Sequence, residues 1–285
     1  MSFICWWCKI FHAVDCNNGA IDAFYLQSDI NHFYNWCTLW HLNINFNKCY
    51  AMIYSSNKSR ISNVLDNVNP GYVVPTYYLN GQVIQNVSCY KDLGILYSDK
   101  HYFNQHIDLV CKKSLKTLYS ISKSFHFSSK DVWQLLYNAY VCPIHDYGCC
   151  IWSPISRQLV NRIEKVQWAA TNFILDFPKK SYIEWLNQCH FITLEKCREF
   201  FDLCMIYKLM NNCSFLHLHD YDVKMASSKR LQWNICPKFP GKHGTEQEFI
   251  RCTIPKWNSL PNALKGSKSL ATFKCNLYKH FLSKP

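Results

Sequence analysis

Two sets of side chains in this 285-residue chain have the types and spacing to do chemistry. Lys112, Lys116 and Lys123 form the first. At 100° per residue their ammonium groups gather on one helical face, opposite Val110, Leu118 and Phe125, at a spacing suited to phosphate oxygens. Lysine is a point charge, so binding of this kind ignores base sequence and weakens steeply with salt. An ordinary solvated helix face carries the same pattern. Cys5, Cys8, His12 and Cys16 form the second set, three thiols and an imidazole that could close around one tetrahedral zinc ion. The intervals between them are tighter than those of a zinc knuckle, and no glycine or turn residue separates Cys8 from His12. Scattered cysteines explain this set more simply. Cys149 and Cys150, beside Tyr147 and Trp152, have no Cys-x-x-Cys or histidine motif and read as neighbours on a buried turn. Neither a Gly-rich phosphate loop nor a local Ser-His-Asp signature occurs.

The composition limits what these residues can serve. Hydrophobic residues make up 49% of the chain and aromatic residues 16%, enough for a core and too much for global disorder. A net charge of +12 favours a polyanionic partner. Seventeen cysteines, an odd number without framework spacing or a leading signal peptide, imply reduced thiols in the cytoplasm or nucleus, most of them small core hydrophobes. No apolar run approaches the roughly 18 residues of a membrane span, so no membrane association is expected. The oligomeric state stays open.

The hydrophobic rhythm changes near residue 103. Before it, Leu26, Ile30, Phe33 and Cys37 predict a helix over 25–40, and Ala51 begins an extended run ahead of a polar loop over 55–75. Asn80-Gly81 between Thr76–Leu79 and Gln82–Ile84 predicts a two-residue hairpin, and 89–97 reads as one further strand. After it, Ile107, Val110, Cys111, Leu115, Leu118, Ile121 and Phe125 form one helical stripe. Further helices are expected over 131–140, with Ser128 or Ser129 as N-cap and Pro143 beyond the end, and over 156–175, stopped by Pro178. A helix over 194–211 should present Leu194, Cys197, Phe201 and Met205, and a last one covers 269–281. Residues 217–253 read as a polar, basic, irregular segment. The expected class is α+β: a helix with short antiparallel strands over 1–102, a helical bundle over 103–215, and an irregular extension over 216–285.

Ordered tags along nearly the whole chain resemble the C-terminal part of jockey-type non-LTR retrotransposon reverse transcriptases. Leu26–Ile30, Trp36-Cys37 and Leu42–Cys49 are similar to the helix and turn behind that family's active site. Tyr78–Gly81 and Tyr90–Ile95 are similar to its hairpin and primer-gripping strand. Phe103–Ile107, Leu136–Tyr140, Tyr147–Pro154 and Ile163–Gln167 resemble its helical thumb and the region beyond. Ile206–Lys208, Phe249–Arg251, Trp257–Pro261 and Phe273-Lys274 resemble its distal tail. Each tag alone is weak; their order and spacing give the resemblance its force.

The resemblance implies particular roles. Lys48 matches a lysine lying near the incoming triphosphate, and Leu93-Gly94 matches the primer-grip strand, where glycine permits close backbone approach. A solvated lysine and a plain bend are the alternative readings. The family's paired aspartates bind two divalent ions, Mg²⁺ in the intact enzyme, ahead of a Lys-Ile-Phe stretch. Lys9-Ile10-Phe11 is present here, but Trp6 and Trp7 stand where the carboxylates would be, and the fingers and upstream palm have no match. Indole offers no oxygen ligand to Mg²⁺, so no cofactor and no catalytic residue are expected for this chain. Three functions follow: a polymerase fragment, inactive alone, with nonspecific affinity for an RNA or DNA template-primer duplex; a non-enzymatic helical module binding protein through exposed Trp and Tyr of the tail; or a small metal-dependent RNA binder.

Overall fold

Helix α1, Gly19–Leu39, buries Ile30 and Cys37. Leu26, one turn before Ile30 on the same side, is half-buried against the small core that Ile30 shares with Tyr77 and Leu79. The structure, a computed structural model, describes residues 8–12, 19–53, 75–99, 103–125, 129–175, 181–214, 223–226, 233–237 and 249–283. The polar loop expected over 55–75 lies almost wholly outside them. By its contacts the chain divides into two units, Met1–Tyr102 and Phe103–Pro285.

In the first unit the strands are short and paired two by two. β1 (Tyr50–Ala51) lies beside β4 (Gln85–Asn86), while β2 (Tyr78–Leu79) and β3 (Gln82–Val83) form the hairpin that Asn80-Gly81 predicts. Both turn residues have positive φ, 50° and 75°, as this turn requires. Gln27 of α1 ties down the hairpin: its amide nitrogen donates to the Tyr78 carbonyl and its oxygen accepts from the Tyr78 N–H, both at 2.8 Å. A side chain thus supplies the hydrogen bonds that a neighbouring strand would. The strands are not all antiparallel, because β1 and β4 run parallel. Residues 89–97 are also not one strand. They fold into β5 (Cys89–Asp92) and β6 (Ile95–Ser98), a second tight hairpin with Leu93 and Gly94 at its tip.

The second unit is helical. α2 (Asn104–Ser124) buries His106, Ile107, Val110, Cys111, Ser114, Leu118 and Ile121. Phe125, expected to close the stripe, falls just past the helix and is 43% exposed. The next helix does not stop before Pro143. α3 (Lys130–Leu136) runs through a π-helical segment, Tyr137–Val141, into α4 (Cys142–Asp146), with Pro143 in the first turn of α4. A proline ring inside an α-helix clashes with the carbonyl four residues earlier and lacks an N–H. The Cys142 N–H bonds back five residues to Tyr137, and this widened turn resets the ladder so that Pro143 occupies a helix-start position.

α5 (Cys149–Trp152) follows Gly148, whose φ of 62° allows the reversal. α6 (Arg157–Leu175) packs along α2, and α7 (Tyr182–Cys189) starts at a capping box between Ser181 and Glu184. Pro178, expected to stop α6, lies outside the described residues. α8 (Leu194–Met210) is the centre of the unit. It buries Leu203, Cys204, Ile206, Tyr207 and Leu209 as well as Leu194, whereas Cys197, Phe201 and Met205 are only half-buried. Neighbours on several sides replace the single stripe expected of it.

The segment expected to be irregular contains the antiparallel pair β7 (Val223–Met225) and β8 (Ile235–Pro237) and then α9 (Phe249–Ser259). α10 (Asn262–Lys265) and α11 (Leu270–Leu282) complete the chain, the latter capped by Ser269. α9 and α11 pack on α8 around Trp257 and Phe273, both fully buried. The Tyr207 and Phe273 rings stack at 4.5 Å, and the Tyr207 hydroxyl donates to the Ser267 carbonyl at 2.6 Å. The fold is α+β, a helix with short strand pairs followed by a helical bundle. No helix among the described residues is long and apolar enough to cross a membrane.

Candidate nucleic-acid interface

Lys112, Lys116 and Lys123 come together on α2, as their spacing demands. All three are exposed, while the opposite face of the helix is buried against α6 and the α3–α4 stretch. Along the axis they lie about 6 and 10 Å apart, from 1.5 Å of rise per residue. None has an ion-pair partner among the described residues. Asp108, the acid on this helix, is held by Arg162 of α6 at 2.5 Å. The positive charge of the row is therefore presented outward.

Beside the row, α2 and the α3–π stretch border a cleft of about 460 Å³. Lys113, Lys116, Thr117, Ser120, Ile121 and Phe125 line it from one side, Leu136 and Tyr140 from the other. The sequence reading missed Lys113 and Tyr140. Lys113 sits 100° around the helix from Lys112, off the row, and Tyr140 faces outward only because of the π-helical turn it occupies.

In the first unit, Lys48 ends a 3₁₀ turn, Phe46–Lys48, whose start is capped by the Asn45 side chain accepting from the Asn47 N–H at 3.1 Å. Its side chain is exposed. Leu93 and Gly94 are the two central residues of the β5–β6 turn, with φ of 46° and 86°, and the Leu93 side chain is 64% exposed. Gly94 is thus required by a positive φ. Trp6 and Trp7 lie outside the described residues, as do Cys5 and Cys16 of the proposed zinc set. Cys8 and His12 are exposed, and His12 lies 3.7 Å from Asp22. Among the described residues no three His, Cys, Asp or Glu side chains gather as a metal site. Lys9 is engaged: it pairs with Asp92, buried at the end of β5.

Several residues marked by the resemblance hold the fold. Glu164 of α6 accepts from the Leu194 N–H at 3.0 Å, satisfying the start of α8, and from the Tyr182 hydroxyl at 2.5 Å. Burial and this carboxylate push the Tyr182 hydroxyl far up. Gln167, one turn on, donates to the Ile192 carbonyl at 2.8 Å. The Trp152 indole donates to the Tyr147 carbonyl at 2.9 Å, and its buried ring meets His106 edge-on. Trp257 donates to the Trp233 carbonyl at 2.7 Å, while the Asn258 amide bonds both backbone groups of Ile235. The tail therefore does not offer Trp257 for binding a partner, and Tyr278 is half-buried with its hydroxyl on the His190 carbonyl.

The cysteines are free thiols among the described residues, with Cys37, Cys111, Cys149, Cys189 and Cys204 buried. Cys149 and Cys150 lie on the short helix α5 rather than on a turn. The Cys150 thiol is held protonated, first by its hydrogen bond with Cys149 and then by burial. That is the opposite of an activated nucleophile. Asp202 of α8, close to Cys150, is pushed up to about 6 chiefly by burial; a hydrogen bond from Cys150 and the charges of Lys256 and Arg198 oppose the shift.

No protein-family model matches the chain, and no solved structure does. Over 74 residues, 26% of its length, the chain is 32% identical to an uncharacterized protein of Caenorhabditis elegans, and this match spans 37% of that protein.

Proposed function

We propose that this chain is a fragment of a non-LTR retrotransposon reverse transcriptase, without polymerase activity of its own, that binds template-primer duplex nonspecifically through α2. One observation carries the binding reading. Three exposed lysines, unpaired among the described residues, line one face of a helix whose other face is fully committed to the core. Such a surface matches phosphate oxygens and reads no bases. The ordered tags support the family, and Trp6 and Trp7 in place of paired carboxylates support the lack of activity. Partner specificity through the tail has less support, since Trp257 is used by the core. The test is fluorescence anisotropy of a labelled RNA–DNA duplex with the full chain. Changing Lys112, Lys116 and Lys123 together to Glu abolishes binding if the reading is right, and unchanged affinity removes the assignment.

A further inference from the structure

The cleft beside the lysine row holds groups that phosphate binding does not need. Ile121 and Leu136 give it an apolar lining, and the rings of Phe125 and Tyr140 border it while 43% and 59% exposed. Lys113 and Lys116 supply its positive charge, and among the described residues no acidic side chain lines it. Thr117 and Ser120 add hydroxyls. The Ser120 hydroxyl donates to the Lys116 carbonyl at 2.9 Å, which leaves its oxygen free to accept from an amino group. Tyr140 stands on the π-helical segment, a distortion that recurs at functional sites. At about 460 Å³ the cleft falls within the usual range of ligand clefts.

A flat aromatic surface, paired ammonium groups and small polar donors and acceptors are the elements that recognise an unstacked nucleotide. A duplex keeps its bases stacked and offers only its backbone, so the exposed rings have no role against it. We infer that the cleft takes an unpaired nucleotide of a single strand continuing from a duplex on the lysine row, its base on Tyr140 and Phe125 and its phosphate on Lys113 and Lys116. Lys116 belongs to both surfaces and connects them. The inference rests on the nucleic-acid reading of that row. The ring faces tolerate any base, so the preference is for single-strandedness rather than sequence.

The experiment compares two labelled probes at one salt concentration: a blunt RNA–DNA duplex and the same duplex with a short oligothymidine overhang. The overhang is expected to tighten binding by about tenfold. Tyr140→Ala and Phe125→Ala should remove that gain and leave blunt-duplex affinity unchanged, whereas Tyr140→Phe should keep it. Thermal melts of the variants check that they fold, which the exposure of both rings favours. Equal affinity for the two probes, or a gain that survives Tyr140→Ala, overturns the cleft inference while the lysine row stands. Failure to bind either probe overturns the reading of the row, and this inference with it.

Discussion

Replacing Lys112, Lys116 and Lys123 together by glutamine would remove three positive charges and leave the helix intact. Glutamine has nearly the helix propensity of lysine, the three side chains are exposed, and the buried face that positions α2 is untouched. Each phosphate neutralised on a duplex contributes about 0.9 to the slope of log affinity against log salt. If all three lysines meet phosphates, the variant's slope should be shallower by about 2.7. Between about 50 and 200 mM salt, that difference accounts for about 40-fold of the wild-type loss of affinity. Anisotropy titrations of one labelled duplex at several potassium chloride concentrations give both slopes. A Glu variant would add repulsion and so blur the count, which is why glutamine is the better probe here. Equal slopes for variant and wild type would show that these ammonium groups release no counterions, and the interface would have to be sought elsewhere.

Three further outcomes are expected. The purified chain, given a primed RNA template, dNTPs and Mg²⁺ or Mn²⁺, should not extend the primer, and clear extension would mean that side chains other than Trp6 and Trp7 supply the metal-binding oxygens. Asp202 has a folded-state pKa raised from 3.8 to about 6, so the folded chain holds that proton more tightly than the unfolded one. Its contribution is fully present below the unfolded value and is lost as pH rises through the folded one, a decline of about 3 kcal/mol by neutral pH. Urea unfolding between about pH 4 and 7 should show this decline in the wild type and a flatter profile in Asp202→Asn; parallel profiles would assign the proton to another group. Leu93→Asn should stabilise the β5–β6 hairpin by about 1 kcal/mol, because Asn accepts the left-handed backbone that Leu adopts at φ 46° and little burial is lost. Slower amide exchange over Cys89–Ser98 would report the gain, and faster exchange would contradict it.

The sequence showed most where one buried face dictated the residues. The stripe on α2 repeats every three or four positions because a single side of that helix meets the core, and the same periodicity put its lysines on the outer face. Asn80-Gly81 announced its hairpin because both residues tolerate positive φ. The β5–β6 turn has the same geometry but opens with Leu93, a residue that ordinarily belongs in a strand, so a hairpin read as one extended run. Pro143 looked like a stop because the π-helical turn that accommodates it has no sequence signature. α8 gave a misleading stripe for the opposite reason: it is enclosed by α6, α9 and α11, so apolar residues occur around most of it. The cleft was hidden for a combination of these causes. Its residues come from two separate stretches, and the outward aim of Tyr140 depends on a backbone distortion.

Residues that carry a resemblance to a family and residues that would do its chemistry can be different sets, and packing bears on the first. Glu164, Gln167, Trp152, Tyr207, Trp257 and Asn258 each satisfy a buried backbone or side-chain partner, so their identities are fixed by the fold. Replacing any of them would leave an orphaned polar group or a cavity, a cost of about 1–5 kcal/mol that acts whether or not the chain catalyses anything. Such residues answer to the fold, so the resemblance they carry bears on the fold more than on activity. Nothing in the core, by contrast, requires lysine at 112, 113, 116 or 123. Solvent would accept glutamate, glutamine or serine there equally well. A run of like charges at positions where packing is indifferent is the place where a partner outside the chain would leave its imprint, and a polyanion is the partner that would select it.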